Sequence, residues 1–403
     1  MMDPSRVRVT GPLEQYAPGF VAELVGVGYR PVSAAFQLQL MAHLSRWLAG
    51  EGLEVRELDL EVAERFLAAR RAGGYTNYLS LKALAPLLRY LLELGVAPSP
   101  EQPVLSAVEV LLERYRGYLA VERGLVAETA RGYVDMVRPF VVSRVDEGGE
   151  LDLGGLTPSD VLGFVLSECE RRPRRSAKLM VTALRSLLGF MHVDGLIVRP
   201  LAQVVPSVAF WRLAGLPRGL EADQVRGLLG SCGSDTTVGR RDLAILLLLV
   251  RLGMRRGEVA GLNLEDVDWR SGEILVRGKG NRVERLPLPV DVGDALADYL
   301  RHGRPVGADG RSVFVRVKAP HRALTPPGVT QVVVSAGRRA GLGDVTAHRL
   351  RHTAASELLR SGAPLVEIGQ LLRHRSELTT AIYAKVDRDR LRELARPWPG
   401  GVA

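Results

Sequence analysis

Apolar residues fall at helical spacing through most of the first half of this chain. Ala34 to Leu48 sets Phe36, Leu40, Leu44 and Trp47 along one face, and Val62, Phe66 and Leu67 mark a second helix. A third runs from Leu81 to Leu94 with Leu84, Leu87, Leu88, Leu91 and Leu92 inward, and Gly95 is placed to cap it. Pro98-Ser99-Pro100 reads as a linker. The plan then repeats over 104–200. Val110 to Leu119 opens this block, and Thr129 to Val142 carries Tyr133, Val137 and Phe140 on one face. Leu156-Thr157-Pro158-Ser159-Asp160 starts another helix with Phe164 placed as Phe66 is, and Lys178 to Val193 matches the third helix. Leu187-Leu188, Phe190 and Gly195 follow Leu87-Leu88, Tyr90 and Gly95 at a spacing of about 100 residues, so two related helical bundles are expected.

Arg199-Pro200, Pro206 and Leu216-Pro217-Arg218-Gly219 mark a second linker, after which the texture changes. Glu221 to Leu229 and Arg241 to Leu252 are helical. Glu273 to Arg277 and Arg285 to Leu288 alternate as strands about a Gly-Lys-Gly-Asn turn, and Val313-Phe314-Val315 reads as a third short strand. Thr330 to Ala340, Thr353 to Arg360, Leu365 to Leu372 and Thr379 to Lys385 read as helices. The expected fold class is therefore mainly α and multi-domain, with a small antiparallel β-sheet in the C-terminal domain. The expected divisions are an N-terminal helical domain at 1–98, a second helical domain at 104–200, a C-terminal domain at 216–390 and a tail at 391–403.

Composition narrows the class. A chain of 403 residues, 46% hydrophobic and 25% charged, is built to fold rather than to stay disordered. Its formal net charge of +9 favours a polyanionic partner. Cys169 and Cys232 are its only cysteines, too few for a zinc site and unneeded as a staple in a chain this long. They are expected as buried thiols in a reducing compartment. Met1 to Pro12 holds no apolar core of signal-peptide type, and the strongest apolar run, Ala244 to Val250, is far short of the roughly 20 residues that span a bilayer. A cytoplasmic protein without a membrane segment is expected.

The candidate chemistry lies in the last third. Gly253-Met254-Arg255-Arg256-Gly257-Glu258 is followed by Gly278-Lys279-Gly280, then His348-Arg349-Leu350-Arg351-His352, then His374 and Tyr383. Arginine, lysine and histidine can hold a phosphodiester and stabilise it as it gains charge, and a tyrosine can attack it. Residues three apart share a helix face, so His348 and Arg351 can point at one phosphate while Arg349 and Leu350 point elsewhere. A Gly-Lys-Gly turn alone says little, and no P-loop sequence surrounds it.

Taken in order, these segments resemble the signatures of the tyrosine recombinase (phage integrase) family over roughly 216–390. Arg241 to Asp268 resembles the first signature, in which Arg255 would grip the scissile phosphate, Arg256 stands at a variable position and Glu258 is a structural partner. Thr346 to His352 fits the His-x-x-Arg box. His374 and Tyr383, nine residues apart, fit the last box. One departure is visible: the family usually has glycine before this histidine, where this chain has Arg373. The block at 104–200 is similar, less specifically, to the family's core-binding domain, and 1–98 lies beyond its minimal layout.

The resemblance implies a site-specific DNA recombinase of integrase or transposase type. Its helical N-terminal lobes would bind double-stranded DNA, and it would assemble on DNA as a homo-tetramer, with or without related recombinase subunits. Arg255 and Arg351 would clamp the phosphate, His348 would accept a proton or bind phosphate, and His374 would donate to a nonbridging oxygen. Lys279 would protonate the leaving 5′ oxygen and Tyr383 would be the nucleophile, giving a 3′-phosphotyrosyl link without metal, other cofactor or ATP. A nucleoid-associated protein serving a mobile element follows. A relaxing topoisomerase with the same chemistry and a non-catalytic DNA-binding relative are the alternatives; products and trapping of a phosphotyrosine separate them. No ordered carboxylate triad of the metal-dependent transposase kind is found.

Outside the boxes, Arg171, Arg172, Arg174 and Arg175 are candidates for gripping backbone phosphates. His43, His192, His302 and His321 are read as surface or core residues, and Tyr75, Tyr78, Tyr115 and Tyr118 as packing. His352 is read as capping or packing its helix. Arg256, Arg349, Arg373 and Arg375 are read as facing DNA backbone or solvent rather than the scissile phosphate.

Overall fold

The computed structural model describes residues 4–99, 105–208, 219–278, 282–308 and 310–373, together with Thr380 and Tyr383; the side chain of Arg175 lies outside this description. The chain divides into two compact units, 101–214 and the remainder, 1–100 with 215–403.

In the second of these, the N-terminal segment forms α1 (Ala17–Gly26), α2 (Pro31–Glu51), α3 (Leu60–Ala72) and α4 (Leu81–Glu93). Proline at the start of α1 and of α2 costs no hydrogen bond there, since the first amides of a helix have no partner inside it. The Asp59 carboxylate caps α3 by accepting from Val62 N. Phe20, Met41, Leu44, Leu48, Phe66, Leu87 and Leu91 meet in one apolar cluster. The sequence pattern did not distinguish α1, which precedes the first clear run of spaced leucines.

The unit at 101–214 is built from α5 (Ala107–Val121), α6 (Ala127–Val142), α7 (Pro158–Arg171) and α8 (Arg174–Val193). A capping box between Thr157 and Asp160 opens α7 where the Thr-Pro-Ser-Asp signal places it. Tyr115 is fully buried, and its hydroxyl donates to Ala183 O at 3.2 Å. The ends of α4 and α8 are built alike. Gly95 and Gly195 take φ of +69° and +73°, Val96 N donates to Leu91 O, and Leu196 N donates to Met191 O.

The C-terminal segment begins with α9 (Ala222–Gly230) and α10 (Thr237–Arg251), and Ala244 through Val250 of α10 are buried all round. This helix is the centre of the largest apolar cluster, packed against α12 (Val290–Asp298), α13 (Pro326–Arg339) and α14 (Ala347–Arg360). The short α11 (Arg256–Ala260) follows α10, and α15 (Leu365–Leu371) follows α14. Strands β1 (Val267–Asp268), β2 (Glu273–Arg277) and β3 (Val283–Pro287) form one antiparallel sheet in that order. Val267 faces Ile274, and Ile274 faces Leu286, so these side chains enter the core together.

The fold is mainly α with a small antiparallel sheet, as the sequence pattern indicates, but the third strand is not the expected one. Val313, Phe314 and Val315 are fully buried, yet only single bridges form there, between Ser312 and Asn263 and between Val315 and Ala323. Their apolarity fills the core rather than pairing with the sheet. The third strand is the two-residue β1, too short to leave an alternating pattern. Helix α14 also starts earlier than expected, with Thr346 capping Arg349 N at 3.1 Å. The helix expected over Thr379–Lys385 falls outside the described residues except at Thr380 and Tyr383. Cys232 is buried and Cys169 half-buried, both as free thiols. Among the described residues no helix is long and apolar enough to cross a membrane.

Candidate active site

Arg255 stands at the N-cap of α11, immediately after the turn that ends α10. Its backbone N–H and Nη1 donate to the two oxygens of Glu258, at 2.8 and 2.6 Å, and its Nη2 donates to Arg373 O at 3.0 Å. Glu258 is nearly fully buried and also receives Arg373 Nη2 at 2.8 Å. Burial pushes the Glu258 carboxyl up, but the charge of Arg373 and the hydrogen bonds from both arginines outweigh it and hold the group below the usual carboxylate value.

Arg351 lies on α14 and is buried. Its Nη1 donates to Gly253 O and its Nη2 to Leu372 O. Burial, then the neighbouring charges of Arg255 and Arg373, push its guanidinium down to about 9, so it stays charged at neutral pH. Gly253 takes φ of +55°, and a Cβ there would lie 2.5 Å from Leu372 Cδ2. Glycine is therefore required both by the turn and by the approach of the 371–373 segment. Arg255 and Arg351 thus converge on the carbonyls of two successive residues, Arg373 and Leu372.

Tyr383 is 2% exposed and joins Ala355, Leu359, Ile368 and Leu372 in a small apolar cluster between α14 and α15. Its hydroxyl is 2.7 Å from His352 Nδ1. Burial raises this hydroxyl to about 12, against the nearby charge of Arg351. His352 is lowered to about 4 by burial, then by His348 and Arg351. His348, exposed on the same face, sets its ring edge-on to His352 with centroids 4.3 Å apart.

The structure therefore brings Arg255, Arg351, His348 and Tyr383 into one neighbourhood, linked by Glu258, Leu372, Arg373 and His352. Lys279 and His374 lie outside the described residues. Gly278, the residue before Lys279, is at the site, because a Cβ on it would lie 3.9 Å from Glu258 Oε1. Two residues depart from the sequence reading. His352 does not merely pack: it meets the tyrosine hydroxyl. Its place one turn after His348 was the available signal. Arg373 faces neither DNA backbone nor solvent but pairs, buried, with Glu258, because a φ of +54° turns it inward. That backbone costs about 1–2 kcal/mol for a residue with a Cβ.

Of the basic run, Arg171 and Arg174 are exposed. Arg172 is drawn to the buried Glu168 at 2.5 Å and reaches Met136 sulfur at 3.5 Å.

Residues 218–390 match the model of the phage integrase family. The integrase/recombinase y4rA of Sinorhizobium fredii is 42% identical over 398 residues, 97% of this chain and 95% of that protein. Tyrosine recombinase XerD of Listeria monocytogenes is 32% identical over 290 residues, 70% of this chain and 96% of the relative. Among solved structures, the XerH site-specific recombinase bound to palindromic difH substrate in a post-cleavage complex matches with TM-score 0.55 at 20% identity, covering 70% of this chain and 83% of that one. A lambda integrase dimer bound to a core site matches with TM-score 0.53 at 19% identity, covering 73% and 98%. These structures share the fold, and the sequence relatives fix the kinship. The chain belongs to the phage integrase family and is a tyrosine recombinase, an enzyme of site-specific DNA recombination.

Proposed function

We propose that this chain cuts and rejoins duplex DNA through a 3′-phosphotyrosyl intermediate on Tyr383, without metal or ATP, to integrate or transpose a mobile element. The observation that carries the reading is that Arg255 and Arg351 both end on the segment leading to Tyr383. At rest Arg351 donates to two peptide carbonyls, and Arg255 to the Arg373 carbonyl and the Glu258 carboxylate. A phosphodiester oxyanion is the stronger acceptor for a guanidinium, so DNA would displace these contacts and take both forks. The Tyr383 oxygen would then form its bond to phosphorus as the bond to the 5′ oxygen breaks. Lys279 would give the proton to the leaving oxygen, and His374 would donate to a nonbridging one. The tyrosine proton would pass to a histidine of α14, His352 by its present contact or His348 beside it.

The two hydrogen-bonded partners are far from matched at rest. Burial holds the Tyr383 hydroxyl up and the His352 ring down, so moving the proton between them is uphill at rest. The nucleophile thus stays protonated until the arginines deliver a phosphate, and proton loss accompanies attack. A 5′ hydroxyl from another strand reverses the step, because the ester bond stores the energy of the broken one.

XerH and lambda integrase are seen on DNA, lambda integrase as a dimer and as a tetramer on a Holliday junction. We read this chain as forming a DNA-bound tetramer near the nucleoid, alone or with related subunits. Arg171, Arg174 and Arg175 would bear on backbone phosphates, and Arg172 would be available only if it left Glu168. The domains would be 1–98, 104–200 and 216–390, with 391–403 as the tail.

Randomised DNA allows a test without a defined target site. A pool of nicked duplexes of randomised sequence is incubated with the full chain, and protein–DNA adducts are recovered under denaturing conditions. The wild type is expected to yield adducts, with or without EDTA, and Tyr383→Phe none. No adduct from the wild type, adduct retained by Tyr383→Phe, or activity lost to EDTA and restored by magnesium overturns the reading.

A further inference from the structure

Arg373 occupies the place where the family usually has glycine, and three features of it are unusual. It is one of two non-glycine residues with positive φ among the described residues. Its guanidinium is buried against an equally buried carboxylate, that of Glu258. Its Nε is buried with no hydrogen-bond partner among the described residues. A strained backbone and a buried charge are both unfavourable alone, so the surroundings must hold them in place. The partner is also the partner of Arg255. Glu258 Oε1 accepts from Arg255 Nη1, and Oε2 accepts from both the Arg255 backbone N–H and Arg373 Nη2. The Arg373 carbonyl in turn accepts Arg255 Nη2, and its own Nη1 donates to Leu371 O at 2.7 Å.

Charge gives this arrangement its meaning. Among the described residues, Arg255, Arg351 and Arg373 surround one carboxylate, Glu258, a surplus of two positive charges for an incoming anion. Without Arg373, Arg255 would be the one guanidinium left hydrogen-bonded to Glu258, and the residue meant for the phosphate would be half spent inside the protein.

We propose that Arg373 is a positioning residue of the DNA-cleavage site: its guanidinium neutralises Glu258, which frees the charge of Arg255 for the scissile phosphate. Its left-handed backbone presents the carbonyl on which Arg255 rests until that phosphate arrives. This rests on the strand-cleavage reading above and concerns a residue that reading leaves without a role.

The experiment uses full-length chain and a duplex recovered by adduct formation from the randomised pool. Single-turnover rates of adduct formation are measured for the wild type, Arg373→Gly, Arg373→Lys, Glu258→Gln and the double variant Arg373→Gly/Glu258→Gln. Glycine adopts a φ of +54° without cost, so Arg373→Gly removes the guanidinium while relieving the backbone. We expect Arg373→Gly to slow the step at least tenfold and Arg373→Lys to recover part of the loss. Adding Glu258→Gln to Arg373→Gly is expected to restore rate severalfold, because it removes the carboxylate left without its partner. A residue that only held the fold would show the opposite, with the second substitution adding its own loss. An unchanged rate for Arg373→Gly, or a double variant slower than Arg373→Gly, overturns the proposal. Melting temperature and circular dichroism of each variant identify any that fails to fold, and Arg373→Lys against wild type then decides: equal rates overturn the proposal, a slower lysine variant supports it. A wild type that forms no adduct condemns the cleavage reading itself, a different result from a wild type that cleaves and a glycine variant that cleaves equally well.

Discussion

His352 should make the catalytic region acid-sensitive in a way one substitution removes. Its ring is held neutral, at about 4 rather than 6.5, by burial and by His348 and Arg351. The unfolded chain takes up a proton at this residue as pH falls through 6.5, and the folded chain does not until near 4. Stability therefore falls with pH inside that window and is unaffected by His352 above it. At pH 5 the two values set a ceiling of about 2 kcal/mol, and the ring is only half-buried, so about 1 kcal/mol is expected to survive solvent screening. His352→Gln removes the titration and keeps a polar partner for the Tyr383 hydroxyl. The readout is hydrogen exchange of the α14 amides, corrected for the intrinsic pH dependence of exchange, at pH 7.5 and pH 5. Exchange reports opening of this helix even though the chain has more than one unit and need not unfold in one step. The wild type should lose about 1 kcal/mol more protection than His352→Gln between these conditions. Equal losses would mean that His352 is protonated in the folded chain at pH 5, and its contact with Tyr383 would then have to be redrawn as a donated one.

Two further expectations concern the frame behind the site. Tyr299 is buried and its hydroxyl accepts from Val315 N at 3.3 Å, so Tyr299→Phe strands a buried amide and should cost about 1–3 kcal/mol in denaturant unfolding; a loss below the measurement error would show that the amide has another acceptor. At Gly239 in α10 an added Cβ would stand 1.7 Å from Gly233 O, a backbone atom, so Gly239→Ala should lower the melting temperature by forcing the preceding loop away. An unchanged melting temperature would show that this loop yields freely.

The proposed chemistry is readable in the sequence because it binds residue type to spacing. His348 and Arg351 must share a helix face to meet one phosphate, and α14 gives them that face. Apolar periodicity likewise placed α2, α4, α6, α8 and α10. Its failures have a common cause. Val313-Phe314-Val315 has the composition of a strand, but composition reports burial, and burial at full depth is available to a loop that crosses the core. The real third strand, Val267–Asp268, is specified by its partner Ile274 and not by any pattern of its own. A signal that resides in a partner cannot be found by reading along one segment.

Arg373 and His352 carry the same lesson into the site. Both were visible as residues, one as a departure from the glycine usual in this family and one as a neighbour of a matched arginine. Neither has a role that spacing can express. Arg373 matters because its φ of +54° turns a guanidinium onto Glu258, 115 positions earlier, and His352 because Tyr383, 31 positions later, closes onto it. The residues proposed to touch substrate are constrained by the substrate's geometry, which spacing along a helix can express. The residues that hold those in place are constrained by this chain's own packing and charge balance. That is why the ordered motifs identify a recombinase, while the buried pair of Arg373 and Glu258, proposed to set how much positive charge Arg255 can offer, emerges only once the chain is folded.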